Sequence, residues 1–123
     1  MSIQRKLLGR RGEEEAARFL VERGCRILAK NYTCSYGEVD LVVEERETLV
    51  FVEVKTRAQR CFGSPSAAVD IRKQRQIAMV AEHYIGEQGL SGRNARFDVV
   101  SVEMLPDAEM RIEHIADAFE SWL

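Results

Sequence analysis

Three residues in the stretch GEVDLVVEERETLVFVEVKTR, Gly37 to Arg57, have the types and spacing to do chemistry together. Asp40 opens one apolar segment, Glu53 interrupts the next (LVFVEV), and Lys55 follows Glu53 by two. Charged side chains are rarely buried unless they are paired or bound to something. Two carboxylates held face to face repel each other, and a divalent cation relieves that repulsion. Mg²⁺ suits such a pair, because it takes one or two carboxylates together with waters and substrate phosphate oxygens; Mn²⁺ is a possible substitute. The backbone carbonyl of Val54, between the two side chains, can add a further ligand. A metal so placed makes water a better nucleophile at neutral pH and stabilises charge on a phosphate under attack. Lys55 stands where it can hold the water or the phosphate. The alternative is a β-hairpin with solvated charged ends, in which Lys55 only neutralises Glu53.

For this chemistry the two segments must pair in one register. Glu53 and Lys55, two apart, leave the same face of a strand, while Val50, Val52 and Val54 take the other face and pack under a helix. If Val39–Glu44 and Thr48–Lys55 form a hairpin whose turn is centred between Arg46 and Glu47, Asp40 stands directly opposite Glu53. Opposed Cβ atoms lie about 4.5–5.5 Å apart. Moving the centre by half a residue shifts the pairing by one. The LVFVEV run is too apolar for an exposed edge and reads as a central strand.

Around this hairpin, apolar residues at helical spacing (Ala16, Ala17, Phe19, Leu20, Val21) predict a helix from Gly12 to Arg23, stopped by Gly24. Arg26–Asn31 reads as a strand. Thr56 to Ala68 reads as irregular, with Gly63, Ser64 and Pro65 as turn residues. Asp70 is the expected N-cap of a second helix running to Tyr84 or Ile85 and ending near Gly86. Its apolar stripe is Ile77, Val80, Ala81, Tyr84 and Ile85. Phe97–Met104 and Arg111–Ile115 read as strands, and the tail to Leu123 as a short helix. The order α-β-β-β-α-β-β predicts an α/β domain with a mixed central β-sheet flanked by helices.

At 123 residues the chain is expected to form a single domain, residues 1–123, long enough to fold without disulfide or metal. No apolar run reaches membrane-spanning length and the N-terminus has no secretory pattern, so no membrane association is expected. Cys25, Cys34 and Cys61 form no C-x-x-C pair, which argues against a zinc site and for reduced thiols in a cytoplasmic protein. The net charge of −2 conceals a pattern. The balance is +4 over residues 1–30 (8 Lys/Arg, 4 Asp/Glu), −5 over 31–54 (1 against 6), +5 over 55–76 (6 against 1) and −6 over 77–123 (3 against 9). Two basic blocks flank the acidic one that holds Asp40 and Glu53. Clustered Lys/Arg bind phosphate backbones whatever the overall isoelectric point.

The run D-(x)12-E-x-K on a hairpin, following a helix with Gly12-Glu13, resembles the PD-(D/E)-x-K nuclease superfamily and its restriction-endonuclease-like fold. More closely, GRRGEEEAARFL, GEVDLV, FVEVKTR, FGSP and RKQRQI in that order resemble the YraN-like bacterial proteins, a group similar to archaeal Holliday junction resolvases. The resemblance covers residues 9 to 102. It implies that Asp40 and Glu53 are the metal-binding acids and that Lys55 positions or activates the attacking water. It also implies that Glu13 completes the metal site; in a first helical turn Glu13 would instead merely favour the helix dipole. Val39 stands where many superfamily members have proline. Gln76 and Lys73 resemble polar residues that some members place beside the site.

The activity expected is that of a metal-dependent endonuclease hydrolysing phosphodiester bonds of structured or branched DNA. Arg10, Arg11, Arg57, Arg72, Lys73 and Arg75 are the expected phosphate contacts. No aromatic-rich basic strand signals base stacking. Cutting a junction symmetrically needs two sites, so a homodimer is expected. A non-catalytic DNA-binding or scaffold protein on the same fold is the alternative, and an acidic interaction module is a third.

Overall fold

The apolar LVFVEV segment lies where its composition requires, in the middle of the sheet. In the computed structural model, which describes residues 3–58, 69–105 and 109–120, five strands form one sheet in the order β1-β2-β3-β4-β5. These are β1 (Arg26–Cys34), β2 (Gly37–Glu45), β3 (Thr48–Ala58), β4 (Ala95–Met104) and β5 (Met110–Phe119). Successive strands pair antiparallel except β3 and β4, which are parallel. A parallel pair needs a crossover connection, and helix α2 (Ile71–Gln88) provides it, while α1 (Ile3–Glu22) precedes the sheet. The mixed sheet and the order α-β-β-β-α-β-β are those expected from the sequence.

Strand alternation divides the core into two layers. Val50, Val52 and Val54 lie against Ala16, Ala17 and Leu20 of α1, with Leu41, Val43, Val100 and Val102. Leu49 and Phe51 face the other way, into a cluster with Ile77, Val80, Ala81 and Tyr84 of α2. Glu53 shares the parity of Leu49 and Phe51, so it leaves the sheet on the α2 side. Along β3 the α1 face is valine from Val50 to Val54, and the α2 face turns polar at Glu53.

Several boundaries differ from the sequence reading, each for a local reason. Helix α1 begins at Ile3, so Glu13 lies in mid-helix and first-turn dipole stabilisation does not apply to it. Gly86 sits inside α2, and the helix stops at Gly89, whose φ of 66° is left-handed and whose N–H returns to Ile85 and Gly86 carbonyls. Its N-cap is Asp70, as expected, accepting from the Lys73 N–H at 2.9 Å. Strand β1 extends to Cys34, β3 to Ala58 and β5 to Phe119, so residues 116–119 are strand rather than helix. Gly63, Ser64 and Pro65, Cys61 and the FGSP motif lie outside the described residues. Among the described residues no helix is long and apolar enough to cross a membrane.

Candidate functional site

The β2–β3 hairpin adopts the register that opposes Asp40 to Glu53. Glu45 pairs with Thr48 across a two-residue turn at Arg46 and Glu47, and Leu41 pairs with Val52. The turn is therefore centred between Arg46 and Glu47, where Arg46 takes a φ of 56°. Beyond Leu41–Val52 the paired ladder ends. There the Val54 N–H donates to Asp40 Oδ2 at 2.7 Å. The Asp40 side chain thus lies in the gap where the two strands separate. In an extended strand the N–H and C=O of one residue leave on the same side, so the Val54 carbonyl is directed toward that gap as well.

Glu53 is 5% exposed and shares the site with Asp40. Burial first, then the charge of Glu53 and a hydrogen bond between the two carboxyls, push the Asp40 carboxyl up to about 8 against the opposing Val54 N–H. At neutral pH the Asp40 carboxyl therefore keeps its proton beside Glu53. Lys55 Nζ lies 3.5 Å and Lys73 Nζ 3.8 Å from Glu53 Oε2. These are ion-pair distances, longer than good hydrogen bonds. Both ammonium groups remain about one-third exposed and reach Glu53 from the solvent side.

Two close approaches set the helices on this end of the sheet. A Cβ at Gly12 would lie 1.9 Å from Thr56 Oγ1, so only glycine lets α1 cross β3 there. That crossing carries Glu13 to the site. Burial raises the Glu13 carboxyl above its ordinary range; a hydrogen bond with Asn31 opposes this, and Glu38 and Glu53 add to it. Glu13 also contributes to the rise at Asp40. Among the described residues, however, no three His, Cys, Asp or Glu side chains stand close enough together to hold one ion. Glu13 is beside the acidic pair, turned to Asn31. The second approach is at Gly37, where β2 begins with a φ of 140° and Gln76 of α2 packs directly over the missing side chain. Gln76 therefore touches the hairpin that bears Asp40.

The other predicted residues fall at the same end. Arg10 and Arg11 are exposed next to Gly12, Arg57 shares the strand face of Glu53 and Lys55, and Arg72 and Arg75 are exposed at the start of α2. Lys73 differs from its neighbours in its ion pair with Glu53.

A second charged cluster escaped the sequence reading. Asp98 of β4 has a fully buried side chain that meets His114 Nε2 at 2.7 Å and Arg96 Nε at 3.0 Å. The Asp117 N–H also donates to it at 2.9 Å. Burial would raise this carboxyl, but the contacts with His114, Arg96 and Asp117 outweigh it and hold it below the usual range. Arg96 reaches on to Glu45 at the end of β2. Its sequence signal was available: Asp98 interrupts FDVVSV as Glu53 interrupts LVFVEV.

The model of the family described as "Uncharacterised protein family UPF0102" matches residues 12–102, which include Glu13, Asp40, Glu53, Lys55 and Lys73. The chain belongs to the UPF0102 family. UPF0102 proteins of Pelotomaculum thermopropionicum and Geobacter sulfurreducens are 43% and 46% identical to it. The alignments cover 97% of this chain in both cases, and 100% and 93% of the relatives. The YraN-like resemblance is borne out at the level of the UPF0102 family. A solved structure, Pyrococcus furiosus SfsA in complex with Ca²⁺, aligns with 89% of the chain at 13% identity and a TM-score of 0.40; the chain spans 63% of that protein.

Proposed function

We propose that this UPF0102 protein is a metal-dependent endonuclease that hydrolyses phosphodiester bonds of structured DNA. The observation that carries the reading is the Asp40–Glu53 pair, two carboxyls held together in a gap of the sheet although each disfavours the charge of the other. Two carboxylates and a backbone carbonyl are hard oxygen donors of the kind Mg²⁺ takes, with Mn²⁺ as substitute. An ion bound there supplies Lewis-acid stabilisation of phosphate charge and lowers the pKa of water.

The chain's own residues prepare that site. The Val54 N–H fixes one oxygen of Asp40 and favours its charged form. Lys55 and Lys73 lie at ion-pair distance from Glu53 and supply N–H donors for phosphate oxygens or a water at the mouth of the site. Arg10, Arg11, Arg57, Arg72 and Arg75 contact the flanking phosphates. Glu13 acts from beside the pair, through its charge and through Asn31. Symmetric cleavage of a four-way junction would engage two copies of the chain.

The test is cleavage of a DNA panel (duplex, single strand, flap, four-way junction) in Mg²⁺ or Mn²⁺ by wild type and Asp40→Asn. Cleavage of a branched or flapped DNA by wild type alone is expected. Salt-dependent binding without cleavage in either metal would instead assign a DNA-binding or scaffold role.

A further inference from the structure

Beyond the acidic pair, the flank of α2 carries a row of residues that starts at Arg72 and leads away from the hydrolytic site. Arg72, Gln76, Met79 and His83 recur at i, i+4, i+7 and i+11, which places them on one side of the helix. Gln76 packs on Gly37. The next residue back, Tyr36, stands in the β1–β2 turn with 48% of its surface exposed. Its ring meets His83 edge-to-face, with centroids 6.3 Å apart at 65°. Tyr36, Met79, Glu82 and His83 line a cavity of about 290 Å³.

The chemistry of this cavity is specific. Tyr36 and Met79 offer exposed flat and polarisable surface, and no lining residue is a permanent cation. The Tyr32 hydroxyl donates its single hydrogen to Glu87 at 3.1 Å and meets His83 Nδ1 at 2.7 Å. With that hydrogen committed, the hydroxyl must accept from Nδ1–H, which leaves Nε2 of a neutral His83 as an acceptor. Burial and Glu87 push the Tyr32 phenol up to about 12, so it keeps its proton. Glu82 adds carboxylate acceptors. An aromatic wall beside acceptors matches a nucleobase with an exocyclic amine, and the carboxylate repels phosphate.

We propose that this cavity binds an unpaired nucleobase of the DNA strand whose backbone runs along α2 to the Asp40–Glu53 site. The inference rests on the nuclease reading and names its substrate as DNA with single-stranded character next to the cut. Met79 and His83 stand about 10 and 16 Å beyond Arg72 along the helix axis. That spans about three to five nucleotides at roughly 3.4 Å for each stacked nucleotide.

The test measures binding in Mg²⁺ in a Lys55→Ala background, which keeps both carboxylates and suppresses turnover. A blunt duplex is compared with the same duplex bearing a five-nucleotide single-stranded flap. Tyr36→Ala should weaken flap binding roughly ten- to hundredfold, the loss of one aromatic stack, and leave the blunt duplex unchanged. Tyr36→Trp should restore the flap affinity. Equal affinities of the parent, Tyr36→Ala and Tyr36→Trp proteins for the flap would overturn the inference while leaving the nuclease reading intact. An equal loss on both DNAs, with a dimer becoming a monomer in sedimentation, would make the cavity an interface between copies and also overturn it. If the Lys55→Ala protein and the wild type in chelator bind neither DNA, the underlying nuclease reading fails instead.

Discussion

At Asp40 the Val54 N–H favours the ionised carboxyl, whereas burial and Glu53 favour the protonated one, and the second influence wins. The sign of the consequence follows from linkage. Between the ordinary value of 3.8 and the folded value of about 8, the folded protein holds a proton that the unfolded chain has lost. Stability of the metal-free protein therefore falls as pH rises through that window, and the contribution present below it is gone above it. Asn imitates the protonated acid and can still accept from Val54. Asp40→Asn is thus expected to leave the thermal midpoint nearly unchanged near pH 4, to raise it at pH 6 and to raise it further, by several degrees, at pH 9, without metal. Asp40→Ala also removes the acceptor and should lie about 1–3 kcal/mol below Asp40→Asn at every pH. A midpoint lowered by Asp40→Asn at pH 9 would mark the carboxylate as a structural anchor. Mg²⁺ must displace the same proton, so the midpoint rise it gives wild type should be larger at pH 9 than at pH 6. Lys55→Ala should keep that rise and lose turnover by about 10²–10⁴, the range for a proton-handling side chain. Undiminished cleavage would remove Lys55 from the mechanism.

At the scale of elements, the crossing of α1 over β3 is the contact that brings Glu13 and the first basic block to the site. Replacing a mid-helix glycine with alanine ordinarily stabilises a helix by about 1 kcal/mol. At Gly12 the sign should reverse, because the added methyl would meet Thr56 Oγ1 at 1.9 Å and Thr56 Cβ at 2.9 Å. Gly12→Ala is expected to cost about 1–3 kcal/mol through overpacking. Gly9→Ala, with nothing within 4 Å, should stabilise and serves as the control. Equal thermal midpoints for the two variants would deny that the crossing is tight. This contact also shows why some features were legible in the sequence and others were not. The hairpin register could be counted from the sequence once a turn centre was supposed; the two-residue turn at Arg46 and Glu47 selects that centre over its half-residue neighbours. The α2 cap followed from Asp70. The start of α1 did not, because Gly9 and Gly12 look like helix breakers until Thr56 is seen beneath one of them. The place of Lys73 depended on the angle at which α2 crosses the sheet, which periodicity does not encode. An acid interrupting an apolar strand was a good signal for burial but a poor one for chemistry: Glu53 lies in the candidate site, whereas Asp98 joins β4 to β5.

The whole molecule combines these scales in its charge distribution. Asp98, Arg96, Glu45 and His114 tie β2, β4 and β5 together on the α1 side of the sheet; Asp98 neighbours Val99, the register partner of Glu53, but leaves the opposite face. Asp98→Ala would leave Arg96 half-buried beside an empty partner position, and breaking a buried pair in this way costs about 3–5 kcal/mol. Against a total stability of about 5–15 kcal/mol, that should lower the unfolding midpoint steeply without selectively altering DNA affinity. The exposed cations behave in the opposite way. Arg72 and Arg75 lie at the site end of α2, whereas Arg111, 70% exposed, lies on β5 beside Glu103. If the DNA follows α2 to the acidic pair, the first two each neutralise a phosphate and Arg111 does not. The double variant Arg72→Ala/Arg75→Ala should then reduce the slope of log K against log salt by about 1.8 on duplex DNA, from about 0.9 for each phosphate contact. Arg111→Ala should leave the slope where it is, and none of these substitutions should move the thermal midpoint appreciably. A slope reduced equally by Arg111→Ala would mean that net charge alone attracts DNA, with no preferred face. A slope reduced only by the α2 pair would make the end of the sheet that holds Asp40 and Glu53 the surface that meets the phosphate backbone.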